Sequence, residues 1–350
     1  MESKVSRVSI GVDMAKDSFY AAVIYLMNDQ TIICKGTRKF PNTAKGFNDF
    51  IEWVQRKVKV DNVVSYIMES TGVYYENLAC YLYNSDKQVH VVLPNKAKKY
   101  SESLDNKSKT DKLDAKVLGR MGAERKLKQW DPGSKIYQTL KQLTRERETI
   151  QKDSTRIKNM LHAEQYSAFS ESDVVTRLED RLTLLNTQLK AVNKDIISTI
   201  KKDAEVNRKV KQIEESTPGI AITTIAVVIA ETFGFAAFNN MKQLTSFAGY
   251  DVVHKESGNF KGKTRISKKG NSHIRRALYM PSLCAIQHNE TLNTFYENLN
   301  ERKRNGLISG TAVQRKMLCL IYTLWKNDTP FIEDYHQKQN GKCLNILFKQ

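Results

Sequence analysis

The sequence predicts an α/β domain followed by an all-α half. Three observations carry that expectation. β-rich runs follow one another closely over the first forty residues; strand and helix signals then alternate to about Glu124; and from Ile136 the apolar residues recur in steps of four and three. Close strands predict antiparallel pairing, alternation predicts a mixed sheet, and the change of period predicts long packed helices.

The elements follow in order. Val8–Val12 is a short strand run ending at Asp13, and the apolar run Phe19–Tyr25 six residues later predicts a hairpin around MAKDS. Thr31–Phe40 reads as a third strand. Phe47, Phe50, Ile51, Val54 and Val58 recur at helical spacing behind Asn42 and Thr43, which serve as a cap. Val63–Met68 is an almost unbroken apolar run ending at Glu69, the pattern of a strand buried on both faces. A helix from Val73 to Tyr83, a strand Val89–Leu93 closed by Pro94, and a helix Asp111–Glu124 complete the α/β part.

Further on, Ile136, Leu140, Leu143, Arg147, Ile150, Ser154, Ile157 and Leu161 form one seam, and Leu178, Leu182, Leu185, Leu189, Val192 and Ile196 form another after a polar break. Such steps make a left-handed coiled-coil seam, folding back as an antiparallel helical hairpin. A spacer or core helix pair and a subunit-pairing device both fit that periodicity. Thr217-Pro218-Gly219 is a tight turn before an apolar helix through Glu231, resembling a helix-hairpin-helix whose amides hold a phosphate. Helical signals continue to about Trp325, and the last fifteen residues are polar.

Composition narrows the partners. With 350 residues, 40% hydrophobic and 27% charged, the chain is long enough for two or three folded domains. A net charge of +18 costs self-repulsion unless it meets phosphate or an anionic surface, so nucleic acid is expected. The start MESKVSRVSI lacks a signal-peptide core, and the apolar stretch Ile220–Phe238 is broken by Thr223, Thr224, Glu231 and Thr232. No membrane partner is expected. The five cysteines are scattered without metal-ligand or disulfide spacing, which fits a reducing cytoplasm.

Four carboxylates stand out by position. Asp13 and Glu69 close strands, and Asp111 and Asp114 are neighbours on one helix face. Two carboxylates about 5 Å apart at an effective dielectric near 20 repel by about 3 kcal/mol, so four together need a cation. Oxygen donors alone suit Mg²⁺ or Mn²⁺, and a pair of such ions supports phosphodiester chemistry. The plainer reading is a turn-forming Asp and a solvated helix face. The segment from Lys96 to Lys126 nonetheless carries ten basic residues against five acids, Lys109, Lys112, Lys116 and Arg120 among them, as a polyanion's neighbour would.

A second constellation is KESGNFKGKTRISKKGNSHIRR, Lys255 to Arg276. Lys255, Lys261, Lys263, Arg265, Lys268, Lys269, Arg275 and Arg276 against Glu256 put +7 into twenty-two residues. Gly258, Gly262 and Gly270 allow close backbone approach, and Asn271 or Ser272 caps the next helix. Nucleic-acid backbone binding is expected there. Ser257 has no triad partner at recognisable spacing and, on its residues alone, reads as a turn serine.

At these residues the pattern resembles a known family. IGVDMAKDSFYAAV, IMESTGVYYENLACYL and VVLPNKAKKYSESLDNKSKTDKLDAKVL resemble the three motifs of the RuvC-like DEDD domain of IS110-family insertion-sequence transposases. STPGIAITTIAVVIAE, FNNMKQLTSFAGY, KESG and ISKKGNSHIRRAL are similar, in the same order, to that family's C-terminal transposase domain. The likeness runs from about Ile10 to Ala285. It departs at Pro218-Gly219-Ile220-Ala221, where a second Gly is commoner, and after Gly249, where a proline is usual.

With the resemblance, an RNase H-like domain is expected over 1–128, a coiled-coil arm over 129–210 and a serine transposase domain over 211–335, and the composition leaves 336–350 as a polar tail. Asp13, Glu69, Asp111 and Asp114 would hold Mg²⁺ or Mn²⁺, and Ser257 would be the catalytic serine, attacking DNA with strand exchange. The family further implies target and donor DNA, a structured guide (bridge) RNA, and a homo-oligomer, dimer or tetramer, whose sites combine acidic and serine domains of different subunits. Two rivals make other forecasts. A RuvC-type structure-selective endonuclease would use metal-activated water, and a non-catalytic nucleic-acid-binding protein would need only the cations.

Overall fold

The computed structural model describes residues 4–59, 63–104, 110–253, 256–257, 260–262 and 265–332. The chain divides into two compact units, Met1–Pro132 and Gly133–Gln350.

The first unit is built on a five-stranded sheet. β1 (Val5–Met14) and β2 (Ser18–Met27) form the hairpin expected around MAKDS, and β3 (Ile32–Pro41) adds to β2 in antiparallel sense. α1 (Ala44–Lys57) follows, its first turn capped by the Thr43 hydroxyl, which accepts from the Gly46 amide. β4 (Val64–Glu69) then pairs parallel to β1, and β5 (Gln88–Val92) parallel to β4. The strand order is β3-β2-β1-β4-β5. Between these two strands lies α2 (Glu76–Asn84), and after β5 come α3 (Pro94–Glu102) and α4 (Asp111–Glu124). The sequence reading placed no helix at α3. Pro94 closes the strand and also opens the helix, since its missing N–H is one that a first turn leaves unbonded anyway.

Both sheet faces are covered, for different reasons. On one, α1 supplies Phe47, Phe50, Trp53 and Val54 to a buried aromatic cluster with Phe19, Phe40 and Tyr66. Phe19 and Phe50 meet edge to face at 5.3 Å, a favoured ring geometry. On the other face α4 lies against glycine. A Cβ on Gly11 would fall 2.0 Å from the Ala115 carbonyl oxygen and 2.1 Å from the Gly119 nitrogen, and one on Gly122 would meet Ile67 at 2.2 Å and the Ser9 hydroxyl at 2.5 Å. Small residues on both elements thus allow backbone-to-backbone contact.

The second unit is helical. α5 (Lys135–Tyr166) and α6 (Ser172–Lys201) are joined by five residues and run side by side, with Arg147 Nε donating to Asn193 Oδ1 at 2.8 Å. Leu140, Ile150, Val192 and Ile196 are buried, and they share one core with the helices that follow. These are α7 (Ala204–Ser216), α8 (Ile222–Thr232) and α9 (Met241–Ala248), then, after a short β segment, α10 (Ser272–His288), α11 (Glu290–Lys303) and α12 (Gly306–Asn327). The β segment comprises β6 (Val252–Val253), β7 (Glu256–Ser257), β8 (Phe260–Lys261) and β9 (Arg265–Ile266). α8 is buried on nearly all sides, which is why its sequence is almost continuously apolar. The tail read at 336–350 lies outside the described residues. No helix among the described residues is long and apolar enough to cross a membrane.

Candidate active site

The acidic residues of the first unit are placed by sheet register and by one helix contact. β1 and β4 are parallel neighbours, and Val12 pairs with Met68, so Asp13 and Glu69 occupy the next step on adjacent strands. Strand side chains alternate, so Asp13 shares a face with Gly11, the face on which α4 lies. α4 runs against the direction of β1: Gly122 meets Ser9, and Ala115 and Gly119 meet Gly11. Its N-terminal turn therefore lies toward the end of β1 that carries Asp13. Asp111 and Asp114 are in that turn, behind the Thr110 cap, whose hydroxyl accepts from the Leu113 amide.

Three backbone elements thus bring the four acids to one end of the unit. Glu69 also accepts from the Thr71 hydroxyl at 2.7 Å, in the turn that follows β4. Among the described residues, no three His, Cys, Asp or Glu side chains stand together as a metal-holding group. The residue types fit a hard divalent ion, four carboxylates with neither thiolate nor imidazole among them. The acids of the first helical turn have a second physical role, since negative charge there complements the helix dipole.

The serine lies in the second unit. β6 pairs with β9, Val252 opposite Ile266 and Val253 opposite Arg265, and inside that ladder β7 pairs with β8, Ser257 opposite Phe260. Ser257 is exposed, and its pair lies beyond β6 and β9 from the root of this short ribbon. The root of the ribbon is held closely. Ser267 N donates to Asp251 O at 2.7 Å, Lys268 N to Gly249 O at 3.1 Å and Asn271 N to Phe247 O at 2.7 Å. A Cβ at Gly270 would lie 2.5 Å from both Gly249 N and Phe247 O, so this crossing requires glycine.

The predicted cationic residues divide into three groups. Lys112, Arg265, Lys268 and Lys269 are exposed and Lys116 half-buried, and none of the five forms an ion pair among the described residues. Lys268 adopts φ of 53°, a left-handed turn conformation, beside the ribbon root. Others are engaged within their unit. Arg120 holds Glu124 at 2.8 Å, Arg275 donates to the Ala248 carbonyl at 2.7 Å, and Arg276 is paired with Glu148. Finally, Lys109 and Lys263 lie outside the described residues, and Lys261 is described only as backbone of β8.

Sequence reasoning missed the groups that hold this region together. Glu231, only 2% exposed at its side chain, accepts two hydrogen bonds from the Arg145 guanidinium, at 2.8 and 3.1 Å, and one from Asn271 Nδ2 at 2.7 Å. Burial pushes its pKa up, but Arg145, Asn271 and Lys141 prevail and hold it below the usual carboxylate value. Glu148 is likewise held down against burial, by Lys152, His273 and Arg276. A signal was present: Glu231 is the one acid in an otherwise apolar helix, and a buried carboxylate requires partners.

Comparison with known proteins bears on both units. A DEDD transposase family model of IS110 matches residues 10–164, and the model described as Transposase IS116/IS110/IS902 family matches residues 212–297. The pilin gene-inverting protein of Moraxella bovis is 26% identical over 340 residues, 95% of this chain and 100% of that protein. The insertion element IS110 uncharacterized 43.6 kDa protein of Streptomyces coelicolor is 20% identical over 156 residues, 45% of this chain and 37% of that protein. T. thermophilus RuvC in complex with Holliday junction substrate aligns with 35% of this chain and 99% of that one, at 8% identity and a TM-score of 0.27.

The mixed sheet with acids at its strand ends fits an RNase H-like fold, and with the transposase matches in both units it defines a DNA transposition or recombination protein. The chain belongs to the IS110 family of DEDD transposases.

Proposed function

We propose that this protein is an RNA-guided DNA transposase that cuts and rejoins DNA by metal-assisted attack of Ser257. One observation supports it most: parallel register and the Gly11–Ala115 contact bring the backbone positions of Asp13, Glu69, Asp111 and Asp114 to a common end of the first unit. Asp13, Glu69, Asp111 and Asp114 would hold Mg²⁺ or Mn²⁺. When bound, the ion supplies Lewis-acid stabilisation of charge on phosphate oxygens.

Ser257 Oγ loses its proton and bonds to the phosphorus of a DNA phosphodiester, the bond to one sugar oxygen breaks, and that oxygen leaves protonated. The resulting serine phosphoester keeps the bond energy. A sugar hydroxyl of the partner strand then attacks the same phosphorus and releases the serine, so strand exchange needs no nucleotide hydrolysis. Exposure of Ser257, and of Arg265, Lys268 and Lys269 on the same segment, supports this role, because an exposed hydroxyl can be reached by DNA and exposed cations can bind its phosphate backbone.

Guidance by a structured RNA rests on the family resemblance and on the lack of a recognisable base-reading motif, as where pairing with an RNA reads sequence. In this reading the protein acts in the cytoplasm as a dimer or tetramer on target and donor DNA, with α5 and α6 as a coiled-coil arm aiding assembly. The domains are then 1–128, 129–210 and 211–335.

A suicide DNA substrate tests the chemistry. A covalent protein–DNA adduct that disappears in Ser257→Ala supports the serine mechanism, whereas free nicked product without adduct means hydrolysis by activated water. Sequencing RNA that copurifies with the protein tests the guide: one structured RNA encoded beside the gene supports guidance, and bulk cellular RNA overturns it.

A further inference from the structure

We propose that Glu231 is a positioning residue for the serine ribbon: through Asn271 and Arg145 it ties the root of the segment bearing Ser257 to helix α5. The proposal rests on the reading of Ser257 as nucleophile and adds to it the group that sets where that hydroxyl stands.

The ribbon cannot hold its own orientation. Its strands are two residues each, and an isolated two-stranded ribbon of ordinary length is already marginal in water. Its direction must come from the root, where Ser267, Lys268 and Asn271 donate to Asp251, Gly249 and Phe247. Asn271 is the pivot. Its Oδ1 accepts from the Ile274 amide at 3.1 Å and caps α10, its backbone N–H binds Phe247, and its Nδ2 binds Glu231. With both ends of the amide in use, Glu231 selects the orientation in which Oδ1 faces the helix.

Glu231 is in turn fixed by the Arg145 fork, a bidentate pair that sets angle as well as distance. One turn further along α5, Glu148 takes His273 at 2.5 Å and also Arg276. α5 therefore grips the first turns of α10 at two points. α5 is thus joined to the ribbon root by charged hydrogen bonds, which fix direction, in addition to the apolar core that it shares with α8 and α10.

The test is an exchange of partners. In Glu231→Gln, the new NH2 faces a donor whichever way the amide turns, Arg145 Nε in one orientation and both Arg145 Nη2 and Asn271 Nδ2 in the other, so the fork or the Asn271 bond is lost. In Asn271→Asp, two carboxylates face each other. The double variant restores one donor and one acceptor with polarity reversed, and Asp remains a good cap. Hydrogen exchange at the Ser267, Lys268 and Asn271 amides and adduct formation on the suicide DNA are measured on the full-length protein.

Each single variant is expected to speed exchange at those amides and to slow adduct formation at saturating DNA by between about tenfold and a hundredfold, with the half-saturating DNA concentration nearly unchanged. The double variant recovers both. Unchanged exchange in the single variants, or a double variant as defective as either, overturns the proposal. Should Glu231→Gln fail to fold, Arg145→Lys breaks the fork more gently, and normal exchange in that variant also overturns it. If exchange follows the expected pattern while Ser257→Ala still cleaves DNA, the nucleophile reading falls and the anchor stands.

Discussion

Gly11 of β1 and Ala115 of α4 touch through their backbones: a Cβ on Gly11 would fall 2.0 Å from the Ala115 carbonyl oxygen. This contact sets the helix bearing Asp111 and Asp114 directly against the strand bearing Asp13. Gly11→Ala is expected to cost about 3 kcal/mol, the upper end for overpacking, because the obstacle is backbone that cannot rotate away. Gly310→Ala, inside α12 with nothing within 4 Å of its Cβ, should instead add about 0.5–1 kcal/mol. Urea denaturation of both variants checks the pair, and equal behaviour would contradict the packing argument.

The acids and the cations should separate in their effects. Asp13→Asn and Asp114→Asn are expected to abolish DNA cleavage while leaving DNA affinity within about twofold of wild type, since phosphate contacts from Lys and Arg dominate affinity. Removing divalent ions with a chelator should do the same, and Mg²⁺ or Mn²⁺ should restore activity. Cleavage that survives either treatment would show that these acids and a divalent ion do not carry the chemistry.

Stability should fall in acid for a nameable reason. Glu231 and Glu148 titrate below the ordinary value of 4.5 in the folded protein, so their contribution is fully present above that value. It is lost as pH falls through the lowered folded values. Glu231→Gln should therefore be less stable at neutral pH and show a flatter loss toward acid, read from urea midpoints across the acidic range. Parallel curves would mean that Glu231 titrates alike folded and unfolded.

The ribbon's charge makes a prediction about salt. Replacing Lys261, Lys263 and Lys268 together by Gln should weaken binding to all DNA sequences alike and reduce the salt-dependence slope by as much as about 3 on a logarithmic plot, close to one for each phosphate that is no longer neutralised. An unchanged slope would mean that this loop faces solvent in the complex.

Much of the first unit was legible because its signals are local. The hairpin at MAKDS, the Thr43 cap and the β4 run ending at Glu69 follow from residue type over a few positions, and all three stand where residue patterns predict them. α3 was not legible. Pro94 punctuates two elements at once, and the residues after it have no strong apolar period. The candidate acids could be singled out by position and their convergence expected, but the strand register and the glycine contact that set it could not be read, because a strand's neighbours are far away in sequence.

The amino-acid order by itself determined the class of each half, the charge that selects a polyanion as partner, and the motifs that place the chain in its family, since these depend on period, composition and short spacing. The tertiary structure alone decided which cations are left exposed and which are engaged by other groups of the protein: Arg275 bonds the Ala248 carbonyl and Arg276 pairs with Glu148, while Arg265 and Lys269 are exposed. It alone decided that Glu231 is an anchor. The physical reason is the same in both cases: a charged side chain is defined by the partner that desolvation forces on it, and that partner lies as far as 128 residues away along the chain.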